Sequence, residues 1–474
     1  MTDPVRVRFA PSPTGPLHIG NTRAALFNYL FARRHGGVFI LRIEDTDTTR
    51  SEARYERQIY DTLRWLKMDW DEAPDVGGPF APYRQSERRS YYRDAVEKMI
   101  AAGNAYPCFC TAERLDELKR QQAAAKLPPR YDGRCRDLPA EERQARLAAG
   151  EAHTIRFRTP RFGEIEFRDL VRGRVKVALK NLDDFIMVRS NGDPGFILAG
   201  AVDDILMKIT HVLRGEDHLT NTHRQLLIFQ ALGSPPPAFG HLPLIVGDDG
   251  KPLSKRLGDL GIFDLRDQGY VPEVLTAHMA RLGWAAPAEA RNLAELAAAF
   301  EVETLAKKPA RLGLPDLKHS QARWIRRATP DQRAAALRPF LGDRQPAGLD
   351  DRLALFAEEA GTLRELAEKI AALDVPPDFD AAELQLLRTT GSRDVLNTLV
   401  AKIETSADFD AAVMTAAIAA AGERTAAKGK QLYQPIRLAL QGDLHGPELA
   451  QLAAVLGRGE TLTRLRRALA AAEG

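Results

Sequence analysis

The chain has little cysteine, no long apolar run and almost no net charge, and each shortage excludes a class of protein. Three cysteines in 474 residues are too few and too clustered for a disulfide framework. In a reducing compartment, clustered thiols point to metal before crosslinks. No segment approaches the ~18 uninterrupted apolar residues of a membrane span, so no membrane partner is expected. The opening residues, from Met1 through Pro11, lack the basic leader and apolar run of a secretory signal, so the expected location is the cytoplasm. A net charge of +3 neither demands nor excludes a nucleic-acid partner. What the chain does have is length: one hydrophobic core rarely serves more than roughly 300 residues, so several domains are expected.

Hydrophobic periodicity orders the N-terminal part. Val5 to Ala10 alternates like a strand, breaks at Pro11-Ser12-Pro13-Thr14-Gly15-Pro16, and gives way to a helical pattern over Ile19 to Arg34 that Gly36-Gly37 ends. Val38-Phe39-Ile40-Leu41 then reads as a buried strand leading into Arg42-Ile43-Glu44-Asp45-Thr46-Asp47. Strand, helix, strand opens a parallel α/β sheet, whose ligands gather at the carboxyl ends of the strands. From about residue 96 the pattern changes to a helix, a cysteine-bearing segment and short β-like runs over 153–158 and 163–167, an inserted α+β module. The sheet pattern resumes over 209–215, a helix follows from Asn221 to Leu232, and Leu242 to Val246 reads as a strand. Beyond about residue 257 nearly everything reads helical.

Two segments carry the signs of nucleotide chemistry. His18-Ile19-Gly20-Asn21 sits where a Gly- and Pro-rich loop enters a helix, so free backbone N–H groups and the helix dipole can meet a polyphosphate. The alternative is an ordinary helix start capped by a histidine. Pro252-Leu253-Ser254-Lys255-Arg256 follows a turn and offers adjacent cations, the charge that a nucleotidyl transfer needs to tighten on its transition state; its alternative is a basic surface loop. The carboxylates Glu44, Asp45 and Asp47 read either as ligand-binding groups or as caps for a helix starting near Ser51, and for Asp47 the cap is the preferred reading. Cys108-Phe109-Cys110 and Cys135-Arg136-Asp137 form a C-x-C…C-x-D set, the donors of a closed structural zinc site with Cys108, Cys110, Cys135 and Asp137 as ligands.

Taken together, the two segments resemble the paired signatures of class I aminoacyl-tRNA synthetases, HIGH and KMSKS, specifically in the bacterial glutamyl branch. The likeness runs nearly end to end, through Arg8 to Gly15, Leu41 to Asp47, Leu213 to His218 and Lys428 to Arg437. It implies an α/β Rossmann-like catalytic core with an inserted α+β acceptor-binding module, followed by all-α C-terminal domains. The expected spans are 1–95 and 191–256 for the two halves of the core, 96–190 for the insertion, 257–320 for a stem-contact domain and 321–474 for anticodon binding. The implied reaction is attack of the glutamate α-carboxylate on ATP, with Mg2+ in attendance, then transfer of the glutamyl group to the 3′ end of tRNA(Glu), with activation waiting for tRNA. His18 and Lys255 are then the catalytic candidates, and Ala10, Pro11, His18, Gly20, Asn21, Ser254, Lys255 and Arg256 the ATP-binding ones. Arg8, Ser12, Glu44, Phe196 and Arg214 fall around the amino acid, where an acidic side chain needs a planar guanidinium fork. A monomer is expected.

The chain departs from the family in places. Pro252 stands for the usual first lysine of the second signature, and Leu257 stands where a histidine is common. Gly195-Phe196-Ile197-Leu198 replaces Thr-Tyr-His-Phe, so Phe196 keeps a ring and loses a hydroxyl, which bears on substrate strictness. Asp137 stands where similar zinc sites end in histidine. Arg323, Trp324, Arg326, Arg327, Tyr433 and Arg437 are candidates for reading an anticodon, with packing and solvated charge as the alternative for each. Two rival functions stay open: a divergent second copy that charges tRNA(Gln) with glutamate or only some isoacceptors, and a non-catalytic tRNA-binding paralogue.

Overall fold

Val5 to Leu41 forms the first crossover of a parallel sheet. Strand β1 (Arg6–Phe9) is buried along its whole length, as a strand covered on both faces must be. Helix α1 (Ile19–Arg34) carries no acid in its first turn and Arg33 and Arg34 in its last, so no side-chain charge in its first turn opposes an anion at its positive end. Gly36 takes φ +58° after the helix, and a Cβ on Gly37 would lie 2.4 Å from the Val5 carbonyl oxygen, so the two glycines close the turn into β2 (Val38–Leu41). β1 and β2 then pair in parallel, Arg6 with Val38 through Phe9 with Leu41. This computed structural model describes residues 4–47, 49–247, 250–251, 261–290, 292–344 and 346–473.

Helices α2 (Ala53–Trp65) and α3 (Arg89–Ala101) lead to the inserted part. There β3 (Ala105–Cys108), β4 (Thr154–Phe157) and β7 (Ile186–Val188) make an antiparallel sheet, with helices α4 (Ala112–Ala124) and α5 (Ala140–Ala148) between β3 and β4. A separate antiparallel hairpin pairs β5 (Glu164–Asp169) with β6 (Gly173–Ala178). The parallel core resumes after helix α6 (Phe196–Leu206), with β8 (His211–Gly215), helix α7 (Leu219–Ala231) and β9 (Ala238–Leu242). Thr210 N donates to the Arg6 carbonyl at 2.9 Å and so joins the second half of the core to the first. One cluster of buried side chains, including Ile40, Tyr92, Phe185, Leu198, Val212 and Phe239, is shared by the core and the insertion.

Two local expectations are corrected. The strand expected over Leu242 to Val246 ends at Leu242, because Pro243 has no N–H for a ladder and its carbonyl is taken by Arg23. Ile245–Val246 forms a separate short strand, β10, paired with β11 (Ala310–Arg311), which also interrupts the helical C-terminal pattern. Asp47 does not cap α2. Its carboxylate accepts from Thr49 Oγ1 and Arg50 Nε, both at 2.7 Å, while Glu52 occupies the N-cap without a side-chain bond.

The chain divides into two compact units, Met1–Asp264 with Leu275–Gly313, and Leu265–Val274 with Leu314–Gly474. The first holds the parallel core and the insertion, together with helices α8 (Ile262–Asp267, in part), α9 (Pro272–Arg281, in part) and α10 (Leu293–Ala299). The second consists of helices from α11 (Leu314–Arg327) to the last, Leu449–Glu473, which kinks at Gly457. Among the described residues no helix is long and apolar enough to cross a membrane.

Candidate active site

A cavity of about 600 Å³ opens at the carboxyl ends of β1, β2 and β8. Its lining brings together Arg8, Ala10, Pro11, Ser12, His18, Gly20, Asn21, Glu44, Phe196 and Arg214, residues from five separate stretches of sequence. Ser254, Lys255 and Arg256 lie outside the described residues, as do Pro252 and Leu257.

His18 is the N-cap of α1, its Nδ1 accepting from Gly20 N at 3.1 Å. The cap and a phosphate-facing role are compatible, because an accepting Nδ1 leaves the proton of the neutral ring on Nε2. A Cβ on Gly20 would lie 3.0 Å from the His18 ring, so the small residue lets the ring fold over the helix end.

Beside the helix end lies a buried ionic network that sequence spacing did not reveal. Arg42, fully buried, donates to Asp204 at 2.7 Å and to Glu44 at 3.0 Å. Arg8 reaches Asp204 at 3.2 Å, while Arg88 and Tyr92 hold Asp203 at 2.6 and 2.9 Å. Asp203 and Asp204 come from α6, whose run Phe196 to Leu206 is otherwise apolar; two acids there signal a buried partner. Burial pushes the Glu44 carboxyl above the usual range against the pull of Arg42 and Arg8.

Arg214 differs from the other arginines of this network. Its Nη2 donates to Thr222 Oγ1 and Gln225 Oε1, each at 2.7 Å, and its Nε lies 3.4 Å from His241 Nε2. All three acceptors are neutral. Burial, and then the nearby Arg8 charge, push the Arg214 guanidinium down to about 9. Arg8, Arg42 and Arg88 thus pair with Glu44, Asp203 and Asp204, whereas among the described residues Arg214 has no carboxylate within hydrogen-bond distance and feels the cavity-lining Asp217 only from farther away. Arg23, also at the cavity, is pushed down to about 10 by burial and donates to the carbonyls of Leu282, at 2.9 Å, and Pro243. It went unremarked in the sequence, although it follows His18 by little more than one helical turn. Phe196 stacks on His218 with centroids 5.3 Å apart.

In the insertion, Cys108, Cys110 and Cys135 present sulfur atoms all within 4.8 Å of one another, Cys110 and Cys135 at 3.6 Å. Zinc–sulfur bonds of about 2.3 Å imply tetrahedral edges of about 3.8 Å, so the three thiols fit that ion. Asp137 is not brought to them: Arg158 and Arg161 hold its two oxygens at 3.1 and 2.8 Å, on the exposed side. The group against the thiols is Tyr131, whose hydroxyl is 3.3 Å from Cys108 Sγ and 3.7 Å from Cys110 Sγ and accepts from Cys135 N at 2.9 Å. Burial opposes ionisation of Cys108, but hydrogen bonds from Tyr131 and the Cys110 backbone outweigh it and leave this thiol below its ordinary range. Burial, opposed by Tyr131 and reinforced by the Cys108 charge, pushes Cys110 up to about 12.

In the second unit Arg323, Trp324, Arg326 and Arg327 lie on α11, and Tyr433 and Arg437 on the helix Lys430–Gln441. Tyr433 is exposed, Arg437 is tied to the Pro447 carbonyl at 2.8 Å, and Arg326 lies 3.8 Å from Glu358.

Residues 4–318 match the family model described as tRNA synthetases class I (E and Q), catalytic domain. Residues 332–469 match the one described as anticodon binding domain. The chain is 39% identical over 485 aligned positions to the glutamate–tRNA ligase of Natranaerobius thermophilus, covering 99% of each. It is 42% identical to glutamate–tRNA ligase 2 of Coxiella burnetii, over 98% of this chain and 99% of that one. Among solved structures, a glutamate tRNA ligase from Elizabethkingia meningosepticum, in complex with its amino acid, superposes with a TM-score of 0.88 at 32% identity, covering 99% of both chains.

Proposed function

The chain belongs to the class I tRNA synthetases of the glutamate and glutamine branch, and from that premise we propose that it activates glutamate with ATP and transfers it to tRNA(Glu). In the first step a glutamate α-carboxylate oxygen attacks the α-phosphorus of ATP, glutamyl-AMP forms, and pyrophosphate leaves. In the second, the 2′-hydroxyl of the terminal adenosine attacks the activated carbonyl and AMP leaves.

The observation that carries this reading is Arg214, a buried cation with no carboxylate within hydrogen-bond distance among the described residues. A buried guanidinium held only by neutral acceptors is costly unless an anion meets it, and Arg214, with Nη2 and Nε engaged by Thr222, Gln225 and His241, keeps Nη1 for that anion at the cavity wall. We assign it to the γ-carboxylate of glutamate. Glu44 then takes the ammonium, and Arg8 and Ser12 border the amino acid. The α1 N-terminus, with His18, Gly20 and Asn21, takes the ATP phosphates, beside Ala10 and Pro11. Lys255, flanked by Ser254 and Arg256, supplies charge that tightens as pyrophosphate departs. Mg2+ bound with ATP offsets phosphate charge. Because among the described residues no carboxylate lies within hydrogen-bond distance of Arg214, glutamine would leave it without a direct counter-charge, and that favours glutamate despite the hydroxyl missing from Phe196. ATP–pyrophosphate exchange tests the first step. Exchange should require glutamate and tRNA(Glu) together, and exchange driven by another amino acid instead would overturn the assignment.

For the insertion we infer a structural zinc held by Cys108, Cys110 and Cys135, with Tyr131 in the place expected for Asp137. Elemental analysis of protein purified without added metal should give one zinc per chain. Asp137→Asn should leave that content unchanged, and Cys135→Ser should abolish it. Protein free of stoichiometric zinc would retire the site.

A further inference from the structure

Behind Arg214 a chain of buried groups runs out of the cavity to the β5–β6 hairpin of the insertion. His241, on β9, is fully buried, with Nδ1 2.6 Å from Asp169 Oδ2 and Nε2 2.9 Å from Thr222 Oγ1. Arg214 Nε approaches the same Nε2 at 3.4 Å. A guanidinium Nε–H is a permanent donor, so the ring nitrogen facing it has to accept, and the imidazole proton belongs on Nδ1, towards Asp169. Asp169 is itself fixed: its Oδ1 accepts the backbone N–H groups of Val171, Arg172 and His241 at 2.9, 2.7 and 3.2 Å. The hairpin that ends β5 at Asp169 is anchored to the same region a second time, by the ion pair of Arg172 with Glu216, whose other oxygen accepts from Leu244 N at 2.8 Å.

We propose that His241, locked by Asp169 into the tautomer that presents a bare Nε2, is a positioning residue for substrate recognition. It fixes Arg214 without neutralising it. A carboxylate placed directly against Arg214 would hold the guanidinium equally well but would compete with the substrate carboxylate for its charge. The imidazole supplies the acceptor and keeps the negative charge of Asp169 one ring away. Thr222 completes the arrangement, its Oγ1 accepting from Arg214 Nη2 at 2.7 Å, lying 2.9 Å from His241 Nε2 and donating to the His218 carbonyl at 3.3 Å. The lock is contributed by the inserted hairpin, so the amino-acid site is assembled only when that hairpin is seated. This inference rests on the assignment of Arg214 to the substrate carboxylate.

Steady-state aminoacylation by the full chain, with tRNA present throughout, tests it. His241→Phe removes the acceptor and should raise the KM for glutamate about tenfold or more, the scale of one hydrogen bond to a charged group, with the KM for ATP unchanged. His241→Gln, whose side-chain carbonyl can accept where Nε2 does, should recover most of the loss. Asp169→Asn, which can turn its amide NH2 towards the ring and force the other tautomer, should again raise the glutamate KM. In the Arg214→Lys background, His241→Phe should add little. A folded His241→Phe protein with unchanged glutamate KM would overturn the proposal. So would equal rises in the KM for glutamate and for ATP with no rescue by glutamine. If Arg214→Lys alone leaves the glutamate KM unchanged, the assignment of Arg214 fails; if Arg214→Lys raises it while the His241 and Asp169 variants are silent, only the positioning role fails.

Discussion

Arg214→Gln raises the KM for glutamate by about 30-fold or more and leaves the KM for ATP within about twofold. The magnitude follows from the ~2 kcal/mol or more lost when one partner of a desolvated, hydrogen-bonded charge pair is removed. The separation of the two KM values follows from geometry. Arg214 lies at the end of β8 with Thr222 and Gln225, whereas the helix end offered to phosphate is at His18 and Gly20 of α1. Glutamine at position 214 retains polar contact with Thr222 and Gln225 but removes the guanidinium charge, so the variant should also discriminate less between glutamate and glutamine. Steady-state aminoacylation with each amino acid reads both effects, and equal losses for glutamate and ATP would contradict this division of the cavity.

Asp204→Asn destabilises the first unit by ~3–5 kcal/mol, the cost of breaking a buried ion pair by removing one partner. Among the described residues Asp204 is the only carboxylate within hydrogen-bond distance of both Arg8 and Arg42, and it is buried with them. Arg8 and Arg42 both donate to Asp204 Oδ1, so an asparagine oxygen could still accept from them, but the neutral amide leaves the two buried guanidinium charges without their counter-charge. Asp203 cannot substitute, since Arg88, Tyr92 and Gln85 already engage its two oxygens. Urea-induced unfolding should show a markedly lower midpoint. A wild-type midpoint would mean that the network is not a stabilising element.

The first crossover was legible in the sequence almost to the residue: Ile19–Arg34 and Val38–Leu41 are helix and strand as the periodicity and the glycine pair require. The cavity-lining positions in Arg8 to Asn21, at Glu44 and at Arg214 were legible because each belongs to a segment with its own motif. What periodicity cannot carry is pairing across distance. Arg8 and Asp204 are 196 positions apart, and His241 and Asp169 are 72 apart. The two adjacent acids in an apolar helix were a usable signal that a buried cation awaited them. Tyr131 had none, since a tyrosine ahead of a cysteine is unremarkable until the fold turns its hydroxyl onto three sulfurs. Asp137 shows the converse: its spacing from Cys135 suits a metal ligand, but Arg158 and Arg161 draw it to the surface. Pro243 misled for a local reason, an apolar neighbourhood interrupted by a residue without an N–H.

The most direct measurement is a charging assay with separated glutamate and glutamine tRNAs, each offered both amino acids. Stable glutamyl attachment to tRNA(Glu), with glutamine refused by both tRNAs, is the predicted result. Stable attachment of glutamine, or tight tRNA binding with no acyl transfer to either tRNA, would contradict it.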